Sequence, residues 1–196
     1  MRWILQAAMS AVVLAGLGTM SARANLVANP GFEADNTSSG PVTPPTDWMA
    51  SGDAGADDSF PHSGNNDGYL ADGSLSQVLA TMAGATYAIS FWVGVDDPTL
   101  ASDPAATFTA TFGGTPVAGT PITPFDVAFP GYTEFTGTAT AAGANTTLSF
   151  TGLINDGDGP WYLDDIDVEL AVPEPASVLF LLPALAALGL GRLRRV

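Results

Sequence analysis

Apolar and polar residues alternate in short runs through the middle of this chain. In TYAISFWVGV (residues 86–95) every second side chain is apolar, as expected of a strand with one buried face. ATFTATF (106–112), TLSFTG (147–152) and YLDDIDVEL (162–170) follow the same rule. Turn-forming residues separate the runs, and Gly113-Gly114 suits a hairpin. The pattern predicts an all-β domain built as an antiparallel β-sandwich. The side chains expected to face its core are Tyr87, Ile89, Phe91, Val93, Val95, Phe108, Ala110, Phe112, Leu148, Phe150, Ile166, Val168 and Leu170.

The middle of the chain carries acidic residues without basic ones. The 196 residues include 20 acidic and five basic side chains, one histidine and no cysteine. All of the basic residues are arginines near the two ends, so residues 25–172 contain none. Carboxylates in such a segment must face water, accept hydrogen bonds or bind cations. This charge also disfavours binding to nucleic acid or to anionic lipid.

The first 24 residues have the layout of a secretory signal peptide. One arginine precedes an apolar stretch over residues 4–17, and Ala22-Arg23-Ala24 supplies the small residues of a cleavage site. A retained membrane helix is the alternative, but the apolar stretch is short and the cleavage site follows at once. We expect residues 1–24 to be removed on export and residues 25–171 to form the domain. Without cysteine, that domain must be stabilised by its core, by a metal, or by both.

The last 25 residues combine a Pro-Glu-Pro motif, an apolar segment and a cluster of arginines. Val172-Pro173-Glu174-Pro175 precedes the almost wholly apolar residues 176–190, and Arg192, Arg194 and Arg195 follow. A helix of that length would extend about 22 Å, short of the ~30 Å hydrocarbon core. Arginines that reach back to the headgroups could make up the difference. Cationic flanks stay cytoplasmic, so the segment predicts a transmembrane helix that anchors an exported domain at the inner membrane.

These three features, in this order, resemble the PEP-CTERM sorting signal of exopolysaccharide-producing Gram-negative bacteria. The resemblance implies an exosortase that recognises the Pro-Glu-Pro motif, processes the tail and releases or attaches the protein at the cell surface or matrix. Prolines on both sides of Glu174 keep the motif extended, which suits a processing enzyme. A plain, uncleaved anchor is the alternative. The implied partners are the secretion machinery, the membrane and an exosortase.

The two ends of the middle segment carry a second resemblance. NLVANPGFE (25–33) and WYLDDIDVEL (161–170) are similar to the ends of galactose-binding-like jelly rolls, carbohydrate-binding modules above all. The resemblance implies a jelly-roll β-sandwich over residues 25–170. In NPGF, Pro30 fixes a turn and Gly31 tolerates positive φ, so that Phe32 can enter the core.

The same resemblance implies a calcium site. Related modules hold a structural calcium ion near the junction of their first and last strands, which corresponds here to Glu33 and Asp164, with backbone carbonyls completing the shell. By strict alternation Asp164 shares a face with Ile166 and Val168, where a carboxylate needs a hydrogen-bond donor or a cation. Calcium takes six to eight oxygen ligands, so two carboxylates do not decide the matter. The alternative is a hydrogen-bonded, buried carboxyl pair with a raised pKa.

Catalytic motifs are missing from the sequence. His62 is the single histidine, no nucleophile motif surrounds it, and the chain has no lysine. A carboxylate-dependent glycoside hydrolase remains as the less favoured alternative. Asp164 and Asp165 do not suit that role, because neighbours on a regular strand point to opposite faces. We therefore expect a protein that is not an enzyme.

Two non-catalytic functions fit these features. The first is an exported cell-surface or matrix protein that contacts exopolysaccharide, and the alternative is a calcium-stabilised, lectin-like carbohydrate-binding module. Sugar recognition would use exposed aromatic side chains, for which Trp48, Trp92, Trp161 and Tyr69 are candidates. Trp92 lies opposite to the core residues of its strand and can be exposed, whereas a tryptophan of a two-layer sandwich more often packs in the core.

Overall fold

Antiparallel strands make up about half of residues 24–171, the part of the chain that the computed structural model describes. They are β1 (Met49–Asp57), β2 (Asp67–Ala80), β3 (Thr86–Val95), β4 (Thr107–Phe112), β5 (Thr115–Pro116), β6 (Gly131–Thr140), β7 (Asn145–Leu153) and β8 (Trp161–Leu170). A five-residue helix, α1 (Pro98–Ser102), and a 3-10 turn (Pro124–Asp126) lie in loops. The proposed signal peptide, sorting motif and C-terminal helix fall outside the described residues. Within residues 24–171, neither helix is long and apolar enough to cross a membrane.

The strands form two layers that share β2. On one side β2 pairs with β1 through residues 67–76. On its other side it pairs with β8 through residues 68–70 and with β7 through residues 73–80. The first layer therefore runs β5–β4–β7–β2, the second runs β2–β8–β3–β6, and β1 extends the sheet on the other side of β2. The prediction of an all-β, antiparallel β-sandwich is confirmed.

Aromatic side chains from both layers meet in the core. The ring of Phe91 on β3 lies 5.1 Å from that of Phe150 on β7 and 6.1 Å from that of Phe108 on β4. Every side chain predicted to face the core is buried except Leu170, which is half-buried. Full burial of a large apolar side chain contributes about 1.5–3 kcal/mol. The alternation of the sequence thus identifies the core correctly.

The first described residues attach to the last strand. Asn25 Nδ2 donates to the carbonyl oxygen of Ile166 at 2.6 Å, and Asn25 Oδ1 accepts from the amide of Val168 at 3.0 Å. The amide of Leu26 donates to the carbonyl oxygen of Val168 at 2.9 Å. Hydrogen bonding within the domain therefore starts at Asn25, beside β8.

The NPGF turn brings Phe32 into the core, as predicted. Phe32 is fully buried, and its ring lies 5.6 Å from that of Trp48. Positive φ angles occur at Asn29 and at Phe32 itself rather than at Gly31. Gly31 is needed for a different reason, because a Cβ atom there would lie 3.1 Å from Asp164 Oδ1.

A bulge in β8 changes the faces that its residues take. Trp92 of β3 pairs with Asp164 of β8. Ser90 lies two positions before Trp92, but its partner Asp167 lies three positions after Asp164, so β8 contains one extra residue. The extra residue lies near Asp165, whose φ is 47°. An inserted residue of this kind reverses the alternation beyond it.

Candidate functional site

The loop between β1 and β2, residues 58–66, folds over the outward face of the second layer. Phe60 stacks on Tyr132 with ring centroids 5.3 Å apart, and it lies 5.3 Å from the ring of Tyr162. His62 stacks on Trp92 with centroids 3.9 Å apart and ring planes inclined by 17°. The loop therefore covers part of an aromatic face.

Two neighbouring carboxylates hold the centre of this loop. Asp164 Oδ2 accepts from the amides of His62 and Ser63 at 2.9 and 3.0 Å. Asp165 Oδ1 accepts from the Ser63 hydroxyl at 2.7 Å, and Asp165 Oδ2 lies 2.7 Å from His62 Nδ1. Both carboxylates reach the same loop, so the prediction that they point to opposite faces was wrong. The bulge at Asp165 is the reason.

Asp164 is buried on the outward side of its layer rather than in the core. The prediction that it shares a face with Ile166 and Val168 was wrong, because the bulge separates it from them. Burial beneath the loop raises the pKa of Asp164 to about 6, while the amides that it accepts from limit the rise. The carboxyl group of Asp164 is thus satisfied by backbone N–H groups.

Glu33 and Asp164 bind different parts of the loop. Glu33 Oε1 accepts from the amides of Asn65 and Asn66 at 2.8 Å each, beyond the amides that Asp164 holds. Within residues 24–171, no three acidic or histidine side chains come together in a way that could hold a metal ion. Glu33 is exposed and binds other amides than Asp164, so the two do not form the buried carboxyl pair of the alternative. Calcium binding stays a prediction.

Asp67 is fully buried at the start of β2. Its Oδ2 accepts from the amide of Phe60 at 2.8 Å, whereas its Oδ1 is the single buried side-chain oxygen or nitrogen in the described residues that lacks a partner. Burial, with the neighbouring charge of Asp57 adding to it, raises the pKa of Asp67 to about 9. Asp67 therefore keeps its proton at neutral pH. Asp57 lies opposite it in the β1–β2 pair.

A polar cleft of about 280 Å³ opens beside the end of this loop. We call it the acidic cleft. Its lining residues are all polar, with carboxylate, amide or hydroxyl groups: Glu33, Asp35, Asn36, Thr37, Ser38, Asp58, Asn65 and Asn66. Gly31 lies between the cleft and the carboxylates of β8. A Cβ atom placed on Gly31 would be 4.0 Å from Cγ of Glu33, which lines the cleft, and 3.7 Å from Oδ1 of Asp165 on β8. The cleft and the His62–Trp92 stack are therefore neighbours.

The four aromatic candidates for sugar contact separate into two groups. Trp48 and Trp161 are buried in the core, with exposed fractions of 4% and 0%, so neither can offer its face to a sugar and that prediction is corrected. Their indole N–H groups are satisfied inside the fold by backbone carbonyls. Trp92 and Tyr69 lie on the outward face of the second layer and are half-exposed.

Sequence reasoning missed the residues that join the loop to the sheet. Phe60 and His62 belong to SFPHSGNNDG, whose glycines and asparagines indicate only a loop. The position of Tyr132 on the outward face of β6 follows from alternation, since Phe135 takes the inward side. No signal in the sequence pairs that tyrosine with Phe60, whose carbonyl oxygen accepts from the Tyr132 hydroxyl.

Solved structures that resemble this fold include several carbohydrate-binding modules. The xylan-binding CBM22-1 domain from Paenibacillus barcinonensis is 18% identical, covers 78% of this chain and 97% of its own, and has a TM-score of 0.48. TmCBM61, solved with β-1,4-galactotriose, is 16% identical, covers 76% and 99%, and has a TM-score of 0.47. A family 35 module from Clostridium thermocellum is 16% identical, covers 64% and 93%, and has a TM-score of 0.44. The likeness concerns the fold alone.

Comparisons at the level of sequence find no relative. No protein-family model matches the chain, and no curated protein matches it. Function is therefore argued below from the residues of this chain.

Proposed function

We propose that this domain binds an uncharged glycan without transforming it, on the surface formed by the acidic cleft and the His62–Trp92 stack. The observation that carries the proposal is the lining of the cleft, which consists of carboxylate, amide and hydroxyl groups beside a half-exposed aromatic pair. Carboxylates and amides suit the hydroxyl groups of a sugar, and an aromatic face suits its C–H groups. The absence of basic side chains from residues 25–172 disfavours a polyanionic ligand.

The cleft is organised before a ligand arrives. Two backbone amides donate to Oε1 of Glu33 and fix its carboxylate. The other oxygen, Oε2, lies 3.4 Å from Asn65 Nδ2. Asp35 Oδ1 accepts from the amide and the hydroxyl of Thr46 at 2.8 and 2.9 Å. Side chains that are already ordered lose little conformational entropy on binding. The fold thus supports recognition by a rigid surface.

Trp92→Ala and Asp58→Ala are each expected to weaken glycan binding by about tenfold or more, the effect of losing about 1.4 kcal/mol. Trp92→Ala removes the aromatic support of His62, and Asp58→Ala removes an exposed carboxylate of the cleft. Binding of the full-length protein, kept soluble in detergent, to xylan, galactan and mannan would be measured by sedimentation with the insoluble polysaccharide.

Phe125→Ala and Asp53→Ala are the matched controls. Phe125 is a 65% exposed aromatic residue in the 3-10 turn, and Asp53 is an exposed carboxylate of β1, so neither change should alter binding. Equal losses for controls and test variants would contradict the proposal. Release of reducing ends from a bound polysaccharide would contradict its non-catalytic part.

We further propose that the domain is exported and then sorted through its Pro-Glu-Pro tail to the cell surface or matrix. The layout of residues 1–24, with a small-residue cleavage site at Ala22-Arg23-Ala24, and the acidic, base-free composition of residues 25–172 support a mature chain that starts at Asn25. N-terminal sequencing of the protein from the native cell envelope is expected to give Asn25 as the first residue. Recovery of chains that still begin at Met1 would contradict export by a cleaved signal peptide.

A further inference from the structure

The outward face of the first layer carries two rows of hydroxyl groups. Strand register places one row across β1, β2, β7 and β4 and a second row across β2, β7 and β4. Neighbouring positions are about 4.8 Å apart between strands, and the rows are about 6.8 Å apart along them. The first row consists of Ser51, Ser74, Thr151 and Thr109, and the second of Ser76, Ser149 and Thr111. We call this surface the hydroxyl face.

The two rows of the hydroxyl face hold no charged side chain, although the domain is strongly acidic and Asp72 borders the face. Its edges are formed by exposed apolar side chains, those of Met49, Val78 and Leu153, with exposed fractions of 57%, 55% and 52%. The hydroxyl groups of Thr81 and Thr120 do form hydrogen bonds within residues 24–171, but these residues lie outside the two rows. Within residues 24–171 the hydroxyl groups of both rows have no hydrogen-bond partner, which leaves them available to a ligand as donors and as acceptors.

A depression lies at the β1 end of the first row. It has a volume of about 190 Å³, several times the ~30 Å³ that a water molecule occupies in the liquid. Gly52 and Gly73 pair there and leave the site without side chains. A Cβ atom on Gly52 would come within 2.4 Å of the Asp72 carbonyl oxygen, so this close approach of strands requires glycine. Ser51, Ser74, Thr151, Leu153 and Asp72 surround it.

We propose that the hydroxyl face binds one chain of an uncharged polysaccharide, with a sugar ring seated in the depression between Gly52 and Gly73. Serine and threonine hydroxyls complement sugar hydroxyls because each group both donates and accepts. Threonine methyl groups and Leu153 suit the C–H side of the ring. Anionic polymers are disfavoured, because residues 25–172 hold no basic side chain that could pair with them as they lose hydration.

A second copy of this chain fits the same face less well. The cores of protein–protein interfaces are depleted in serine and enriched in aromatic side chains, whereas this face is rich in serine and has no aromatic residue among its two rows. Two copies would also bring together two domains of the same strong negative charge. The chemistry therefore favours a neutral, hydroxyl-bearing polymer.

Thr151→Arg tests the proposal, because this residue borders the depression and belongs to the first row. The variant should bind xylan, galactan or mannan about tenfold or more weakly than the unchanged, full-length, detergent-solubilised protein, with an unaltered melting temperature. Thr138→Arg is the matched control, since Thr138 is an exposed hydroxyl residue of β6 in the other layer. Equal binding by the two arginine variants would overturn the proposal.

The two surfaces are distinguished by combining variants. This inference does not rest on the cleft, so Thr151→Arg should weaken binding even where Trp92→Ala has no effect. If Trp92→Ala alone weakens binding, the hydroxyl face is not a glycan site. Sedimentation velocity measures whether the protein forms a dimer. If it does, and if Thr151→Arg dissociates that dimer, the face is a site of self-association and the proposal is overturned.

Discussion

Asp67→Asn is expected to make the domain markedly more stable at neutral and alkaline pH and to flatten the dependence of its stability on pH. Asp67 has a pKa of about 9 in the fold against 3.8 as the ordinary value. Between these values the folded chain holds one proton more than the unfolded chain. The contribution of Asp67 to the free energy of unfolding is therefore greatest below about pH 4. It falls by about 1.4 kcal/mol per pH unit as the pH rises to about 9. Asparagine can still accept from the Phe60 amide through its side-chain oxygen, and it cannot ionise.

The free energy of unfolding, measured with urea from about pH 5 to about pH 9, checks this prediction. The unchanged protein should lose stability steadily as pH rises, and Asp164 should add to the loss only up to its pKa of about 6. Asp53→Asn is the control, because Asp53 is exposed and its replacement should leave the slope unchanged. Parallel slopes for Asp67→Asn and the unchanged protein would show that Asp67 is ionised in the fold.

Phe32→Ala is expected to destabilise the domain by about 3–5 kcal/mol, the usual cost of removing a buried phenylalanine ring. The Phe32 ring is fully buried against Trp48, and a Cβ atom on Gly68 would lie only 2.7 Å from it. The surrounding strands belong to two layers and cannot close the resulting cavity easily. Midpoints of urea unfolding at one pH give the difference in free energy.

Phe129→Ala provides the comparison for that change. Phe129 is 49% exposed, so the same loss of a ring should cost within about 0.5 kcal/mol. If both variants lost similar stability, the burial of the NPGF corner would not be what holds the first residues to the sandwich.

The sequence predicts the sandwich because alternation reports directly which side chains face the core. Alternation identifies the buried side chains of β3, β4 and β7 without error. The glycine pair also predicts its turn correctly, since Phe112 pairs with Thr115 across Gly113 and Gly114, both of positive φ. In β8 the same rule misplaces Asp164, since a bulge of one residue cannot be read from alternation when both neighbours are aspartates.

The candidate site is less accessible to sequence reasoning because it is made by contacts between distant segments. His62 and Trp92 stack across 30 positions of the chain, and the hydrogen bonds of His62 reach Asp164 and Asp165, more than 100 positions away. Composition indicated only that carboxylates would need donors other than basic side chains. That the donors are amides of one loop follows from the fold.

Strand β2 has a mechanical consequence, because it belongs to both layers. The layers cannot slide past each other or hinge apart without breaking backbone pairing of β2 with β8 at one end or with β7 at the other. The outward faces of the two layers are therefore joined through one continuous strand, and a force applied to one layer would be transmitted to the other as shear.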